Sequence, residues 1–175
     1  MAVDSFSVTP GLSHAARERN PVAAVLAARA LAPEIMERAE EIEIGRRLPA
    51  DLALKFAKAG MFRIALPKAF NGDELHPTDI VRVIEEVSRA DGSAGWCVMI
   101  GGTTATLAAL LPDRWAREIY GTNPNVITGG STPPTGKAVP VTGGHYVTGR
   151  WQWGSGTQNC QWICGSTLNI SHLSY

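Results

Sequence analysis

Gly149-Arg150-Trp151-Gln152-Trp153-Gly154-Ser155-Gly156, continued by Thr157-Gln158-Asn159-Cys160-Gln161-Trp162, packs three tryptophans, three glycines and a serine into fourteen residues. Alternate aromatics predict a strand that lays flat rings along one face, with Trp151, Trp153 and Ser155 on the same side. Glycines let a planar ligand approach the backbone closely. A serine hydroxyl donates one hydrogen bond and accepts two, which suits a ring nitrogen whose protonation changes during a reaction. A tricyclic redox cofactor such as a flavin needs all three provisions. The competing reading is a tryptophan-rich core strand that ends in a Gly-Ser turn.

Around this stretch the chain reads as β structure. Helix formers disappear after Gly121-Thr122-Asn123-Pro124-Asn125, and β-branched residues, Gly and Pro take over. Val126-Ile127-Thr128 predicts one strand, and Gln161 to Gly165 another. Ala138-Val139-Pro140-Val141 and His145-Tyr146-Val147-Thr148 flank the hairpin turn Thr142-Gly143-Gly144. Pro140 predicts an edge strand. Roughly four strands with no closing partner make an incomplete sheet, whose open edges invite association. The expectation is therefore the N-terminal part of a longer protein, or a truncated reading frame.

The first half predicts helices. Asn20-Pro21 is an N-cap with Pro at the first helical position. Val22, Val25, Leu26 and Ala30, then Ile35, Met36 and Ala39, form the expected apolar face, and Pro33 predicts a kink or split. A helix after Leu48-Pro49 presents Leu52, Leu54, Phe56 and Ala59 and is capped by Gly60. Met61 to Pro67 reads as extended and Asn71-Gly72-Asp73 as a turn. The helix opened by Pro77-Thr78 buries Ile80, Val83, Ile84 and Val87; Asp91-Gly92-Ser93 then breaks the chain and caps a helix beginning near Ala94. A short last helix runs from Pro112-Asp113 to Tyr120. These boundaries give an α+β chain: a lead over residues 1–19 expected to be disordered, a helical domain over 20–122 and a partial β domain over 123–175.

Composition narrows the function classes. Sixteen basic and sixteen acidic residues cancel, and no basic face points to nucleic acid. Ala94 to Leu111 is long and uncharged, but its paired glycines and three threonines favour a buried helix over a membrane span. Cys97, Cys160 and Cys164, with no signal peptide at the N-terminus, predict reduced thiols in a cytoplasmic protein. Cys160 and Cys164 are four residues apart, a spacing that shares one strand face and lacks a histidine partner, so no metal site is expected. His14, His76, His145 and His172 are read as solvated. Gly130 to Lys137 has five residues between its glycines where a phosphate loop needs four, and two prolines that remove amide donors. Trp96, just inside the buried helix, is either a core residue or the lining of a cleft between the two regions.

The segments Arg47-Leu48-Pro49-Ala50-Asp51-Leu52, Ala59-Gly60-Met61-Phe62, Leu66-Pro67 with Asn71-Gly72, Glu85 to Trp96 and Trp153-Gly154-Ser155 together resemble the acyl-CoA dehydrogenase superfamily of flavoenzymes. The resemblance runs from about Pro21 to Gly165. It implies an N-terminal helical domain followed by a β-barrel, here incomplete, and a C-terminal four-helix domain absent from this chain. It implies that Thr128, Gly129, Gly130 and Ser131 run along a flavin ring. It also implies that Trp153, Gly154 and Ser155 touch the isoalloxazine, with Trp96 at the cleft. FAD is the implied cofactor and a homotetramer the implied full-length assembly.

The main activity implied is α,β-dehydrogenation of an acyl thioester, in which a carboxylate removes the α-proton and a hydride passes to flavin N5. That carboxylate lies in the missing domain, so the catalytic residues of this chain are unknown. The wording of Gly149-Arg150-Trp151 and Ser155-Gly156 is similar to one branch, the two-component flavin-dependent aromatic hydroxylases. These take reduced FMN or FAD from a flavin reductase and act on an aromatic compound rather than an acyl-CoA. They carry a histidine on the helix after the Asp-Gly-Ser-Ala-Gly-Trp segment, where this chain has Thr103, Thr104 and Thr106. A third reading is a truncated chain without activity, persisting as a folded helical domain or a binding module.

Overall fold

The computed structural model describes residues 21–170, so the expected disordered lead, the Asn20 cap, His14 and His172 lie outside the described residues. Six α-helices precede a three-stranded sheet: α1 (Pro21–Glu37), α2 (Ala39–Gly45), α3 (Ala50–Lys58), α4 (Pro77–Ala90), α5 (Gly92–Thr104) and α6 (Asp113–Tyr120), then β1 (Thr128–Val141), β2 (Gly144–Thr148) and β3 (Trp162–Asn169). Helix α1 lies on α4, α4 on α5, and α5 on β1. The α+β class is as the sequence predicts.

The first helix corrects the expected face. Ala24, Ala28 and Ile35 are buried, while Val22, Leu26 and Met36 point to solvent. Small residues win because α1 runs along α4, and close helix packing favours short side chains at the contact. Arg29 of α1 reaches Glu86 of α4 at 2.7 Å. Pro33 does not split the helix; the break falls five residues later, at Arg38. In α3, Leu52, Ala53, Phe56 and Ala57 are buried and Leu54 is exposed, contrary to its expected place.

Met61 to Pro67 is a series of turns, not an extended segment: Met61 N–H donates to the Phe56 carbonyl and Leu66 N–H to that of Arg63. This winding turns Met61, Phe62, Ile64 and Leu66 inward. Helix α4 behaves as read, with Val83 and Val87 fully buried and Ile80 and Ile84 packed beside them. Its N-cap is His76, whose Nδ1 accepts from Thr78 N–H at 3.3 Å, a role the sequence reading did not give it. Asp91 caps α5 as predicted, accepting from Ala94 N–H at 2.7 Å. Gly92–Leu110 is the one helical stretch among the described residues long and apolar enough to cross a membrane. Its buried residues, Ala94, Gly95, Val98, Gly101 and Gly102, lie within the core. Phe62 and Ile64 occupy the space a side chain would need at Gly101 and Gly102.

The sheet order is β2-β1-β3, with β1–β2 antiparallel and β1–β3 parallel. The hairpin closes at Val141↔Gly144, as its turn sequence predicts. β1 is one long strand with an irregularity between Ser131 and Gly136, not the two strands read from Val126–Thr128 and Ala138–Val141. Pro140 consequently lies in the central strand. It is tolerated there because the β3 pairing ends at Ala138↔Asn169, leaving Pro140 opposite His145 of β2 alone. Cys164 is in β3, whereas Cys160 follows the 3₁₀ turn Thr157–Asn159, so the two do not share a strand face. Ile127 belongs to the main core with Phe56, Phe62 and Val98, and Val126 to a second cluster with Leu66, Phe70 and Tyr120.

Candidate functional site

Residues 149–156 do not form the predicted strand. They cross the sheet as an irregular loop: Trp153 has a left-handed backbone (φ 61°), and Ser155 N–H folds back onto the Trp153 carbonyl at 2.9 Å. A non-glycine residue in this region marks a backbone held by its surroundings. The alternation that would have put Trp151, Trp153 and Ser155 on one face is therefore broken. Trp151 is part-buried, Trp153 is 84 % exposed, and Ser155 is half-buried.

Trp151 explains the glycines. A Cβ at Gly136 would collide with its indole, and one at Gly149 or Gly165 would fall 2.8 or 2.7 Å from it. The glycines allow the close approach of a planar ring, as the sequence suggested, but the ring at these three positions is the protein's own. Trp151 Nε1 donates to the Ser166 carbonyl at 2.8 Å. Three hydroxyls hold the same loop: Ser131 Oγ donates to the Gln152 carbonyl (3.0 Å), Thr135 Oγ1 to that of Arg150 (3.1 Å) and Thr157 Oγ1 to that of Gly154 (2.7 Å). The pattern of Gly136, Gly149 and Gly165 around one tryptophan was the signal available in the sequence, and it was read as a place for a ligand.

The other site residues divide by exposure. Thr128 and Ser131 are buried at 4 % and 6 %, and Thr128 Oγ1 accepts from Tyr120 Oη at 3.3 Å. Gly129 is buried under Cys160, and Gly130 is in contact with Cys164. Thr128 to Ser131 thus forms the layer beneath the loop rather than an open surface. Trp96 is 53 % exposed, which removes the core reading. Its neighbour Cys97 lies against Gly156 and, with Ser155, Thr128 and Cys160, lines a cavity of about 10 Å³ between α5 and the loop. That is room for about one water. Burial pushes the Cys97 and Cys164 thiols up and Cys160 to about 11, so all three are poor nucleophiles near neutrality. No cluster of three metal-ligating side chains occurs among the described residues.

Thr103 and Thr104, on the helix where the aromatic hydroxylases carry histidine, donate to the Met99 and Ile100 carbonyls at 2.6 and 2.7 Å. Neither supplies a group that titrates near neutrality.

Residues 23–112 match the family model for the acyl-CoA dehydrogenase N-terminal domain. The chain belongs to the acyl-CoA dehydrogenase family. Within it, indole-3-acetate monooxygenase of Pseudomonas putida is 37 % identical over 130 residues, 73 % of this chain and 33 % of the relative. The oxygenase component of the FADH2-dependent resorcinol hydroxylase of Rhizobium sp. is 30 % identical over 74 % of this chain and 32 % of its own length. The crystal structure of the HsaA monooxygenase from M. tuberculosis superposes with a TM-score of 0.81 at 30 % identity, over 87 % of this chain and 40 % of that one. This chain spans about a third of the length of these curated relatives.

Proposed function

We propose that this chain supplies the helical layer and first strands of the oxygenase component of a two-component flavin-dependent monooxygenase acting on an aromatic compound. The observation that carries the reading is the identity, 30 to 37 % over about three quarters of the chain, to proteins named as flavin monooxygenases. It favours the oxygenase alternative over dehydrogenation of an acyl thioester, the activity first expected from the family resemblance. Reduced FMN or FAD delivered by a separate flavin reductase is the cofactor of this reading. The cytoplasm, where reduced nicotinamide is at hand, is its compartment, and a homotetramer its assembly.

The residues present fit a flavin on one side. Trp153 offers an exposed indole face, and the turn Trp153–Ser155 offers backbone and a half-buried hydroxyl beside it. The cavity behind Ser155 is too small for the ring system, so the cofactor would lie over the loop rather than behind it. In this arrangement Trp153, Gly154 and Ser155 would hold the flavin, Trp96 would border it, and Thr128 to Ser131 would brace the loop from below. When bound, reduced flavin supplies the electrons that activate dioxygen. The residues of this chain orient the ring and exclude water from its covered face.

The test uses the native polypeptide containing these residues, purified from its source. One arm supplies NADH, a flavin reductase, oxygen and a panel of phenols and indole acids; the other supplies acyl-CoA thioesters and an electron-accepting dye without reductase. Reductase-dependent hydroxylated product supports the reading. Dye reduction by a thioester, or no turnover in either arm, overturns it.

A further inference from the structure

We propose that Trp151 is the positioning residue of the Trp153–Ser155 loop. Its indole, seated on Gly136, Gly149 and Gly165 and tied to Ser166, fixes the conformation in which Trp153 stands clear of the protein. The assignment of a positioning role is independent of any cofactor; its consequence for flavin binding rests on the function proposed above.

Three observations converge. The indole fills a seat that only glycine leaves open: a methyl group at Gly165 would lie 2.7 Å from Trp151 Cε2, and one at Gly136 would overlap Cζ2. The seat joins both sides of the sheet, because Gly136 belongs to β1 and Gly165 to β3. The Nε1 bond to the Ser166 carbonyl fixes the ring within that seat, since indole has a single donor and no acceptor. The chain leaving Trp151 has one residue, Gln152, before the left-handed Trp153. Gln152 is itself held through its carbonyl by Ser131. A left-handed backbone at a bulky residue persists only where the surroundings over-determine it. Trp151 and Ser131 are the side chains immediately before Trp153 that do so. Tryptophan in this position is therefore an anchor for the exposed indole two residues on, not a second wall of the same site.

The experiment compares the full chain with W151F and G165A. The first keeps an aromatic ring and deletes the Nε1 donor; the second keeps Trp151 and blocks its seat. Amide hydrogen exchange of residues 153–157 is read beside the global melting temperature, with exchange in α4 as the internal control. Both variants are expected to speed loop exchange by about tenfold or more while α4 stays at the wild-type rate, as local opening requires. Loop exchange that stays in step with α4 in both variants shows Trp151 to be ordinary core filling and overturns the proposal. A third reading comes from the native polypeptide carrying W151F, titrated with anaerobically reduced FAD. Weaker binding alongside a loosened loop supports the full proposal. Unchanged binding alongside a loosened loop leaves the positioning role standing and overturns the flavin contact instead.

Discussion

Ser155 and Trp153 were expected to act from one strand face, and the structure separates their roles. Trp153 projects into solvent, and Ser155 turns back to line a one-water cavity with Cys97 and Cys160. A hydroxyl at that position can still reach a ring lying over the turn. Its removal in Ser155→Ala would delete one hydrogen bond, worth about 0.5–1.5 kcal/mol net. In the native polypeptide we expect reduced FAD to bind about two- to twelvefold more weakly, by the usual conversion of free energy to affinity. The melting temperature should move little, because no packed side chain is lost. Isothermal titration under anaerobic conditions reads the first quantity and calorimetry the second. Unaltered affinity with a lowered melting temperature would make Ser155 a structural residue only. The sequence named the right stretch but not its geometry. Alternating aromatics carry no information about which of them will be taken by nearby glycines, and that choice is made by tertiary contact.

At the scale of elements, the contact between α4 and α5 depends on Gly95. A side chain there would run into Ser88 of α4, whose Oγ and Cα occupy the space. Gly95→Ala should therefore force the two helices apart or displace the serine, costing about 1–3 kcal/mol as overpacking does. Pairing it with Ser88→Gly should recover part of that loss, since the obstructing atoms are then gone. Urea unfolding of the single and double variants measures both. A single variant as stable as the wild type would show that the helices are not in close contact at this point. Helix α4 and its junction with α5 were legible beforehand because a clear apolar stripe ends at an unambiguous Asp-Gly-Ser cap. The face of α1 was not. Its valine, leucine and methionine outweigh its alanines on any hydrophobicity scale, yet Ala24 and Ala28 are what a close neighbour can accommodate. Long β1 was missed for a related reason. Its two prolines and two glycines between Ser131 and Gly136 look like a loop, and only the paired β3 keeps that segment extended.

For the whole molecule, the question is how far this chain can act alone. Ile127 packs into the helical core, and Asn159 Nδ2 donates to the Leu48 carbonyl at 3.1 Å, so the strands are seated on the helices. We propose that residues 20–122 and 123–175 nonetheless fold as separate units, with limited proteolysis expected to release a fragment ending close to residue 122. Acid should weaken the helical part through Asp51. The Arg38 guanidinium beside it, at 2.6 Å, holds its carboxyl down to about 2 from an ordinary 3.8. The stability this gives is complete above pH 3.8 and lost as pH falls toward 2. Both groups are solvent-accessible, so the effect should be small, and Asp51→Asn should flatten the melting-temperature curve across that window. A curve with the same slope in both proteins would assign acid sensitivity elsewhere. The sheet sets the larger limit. Trp153, Ile163 and Leu168 are 84, 63 and 55 % exposed, and the only cavity between helices and loop holds about one water. A flavin laid on this surface would be covered on one face. Association itself costs at least about 4 kcal/mol before net affinity appears, a cost that a single stacked indole and one or two hydrogen bonds barely exceed. The 175-residue chain by itself is therefore expected to bind reduced or oxidised FAD with a dissociation constant weaker than about 0.1 mM, near −5.5 kcal/mol. Equilibrium dialysis under nitrogen and in air tests both redox states. A chain that purifies yellow, with one flavin per molecule, would mean that these strands form a complete site and that the one-sided reading of the loop is wrong.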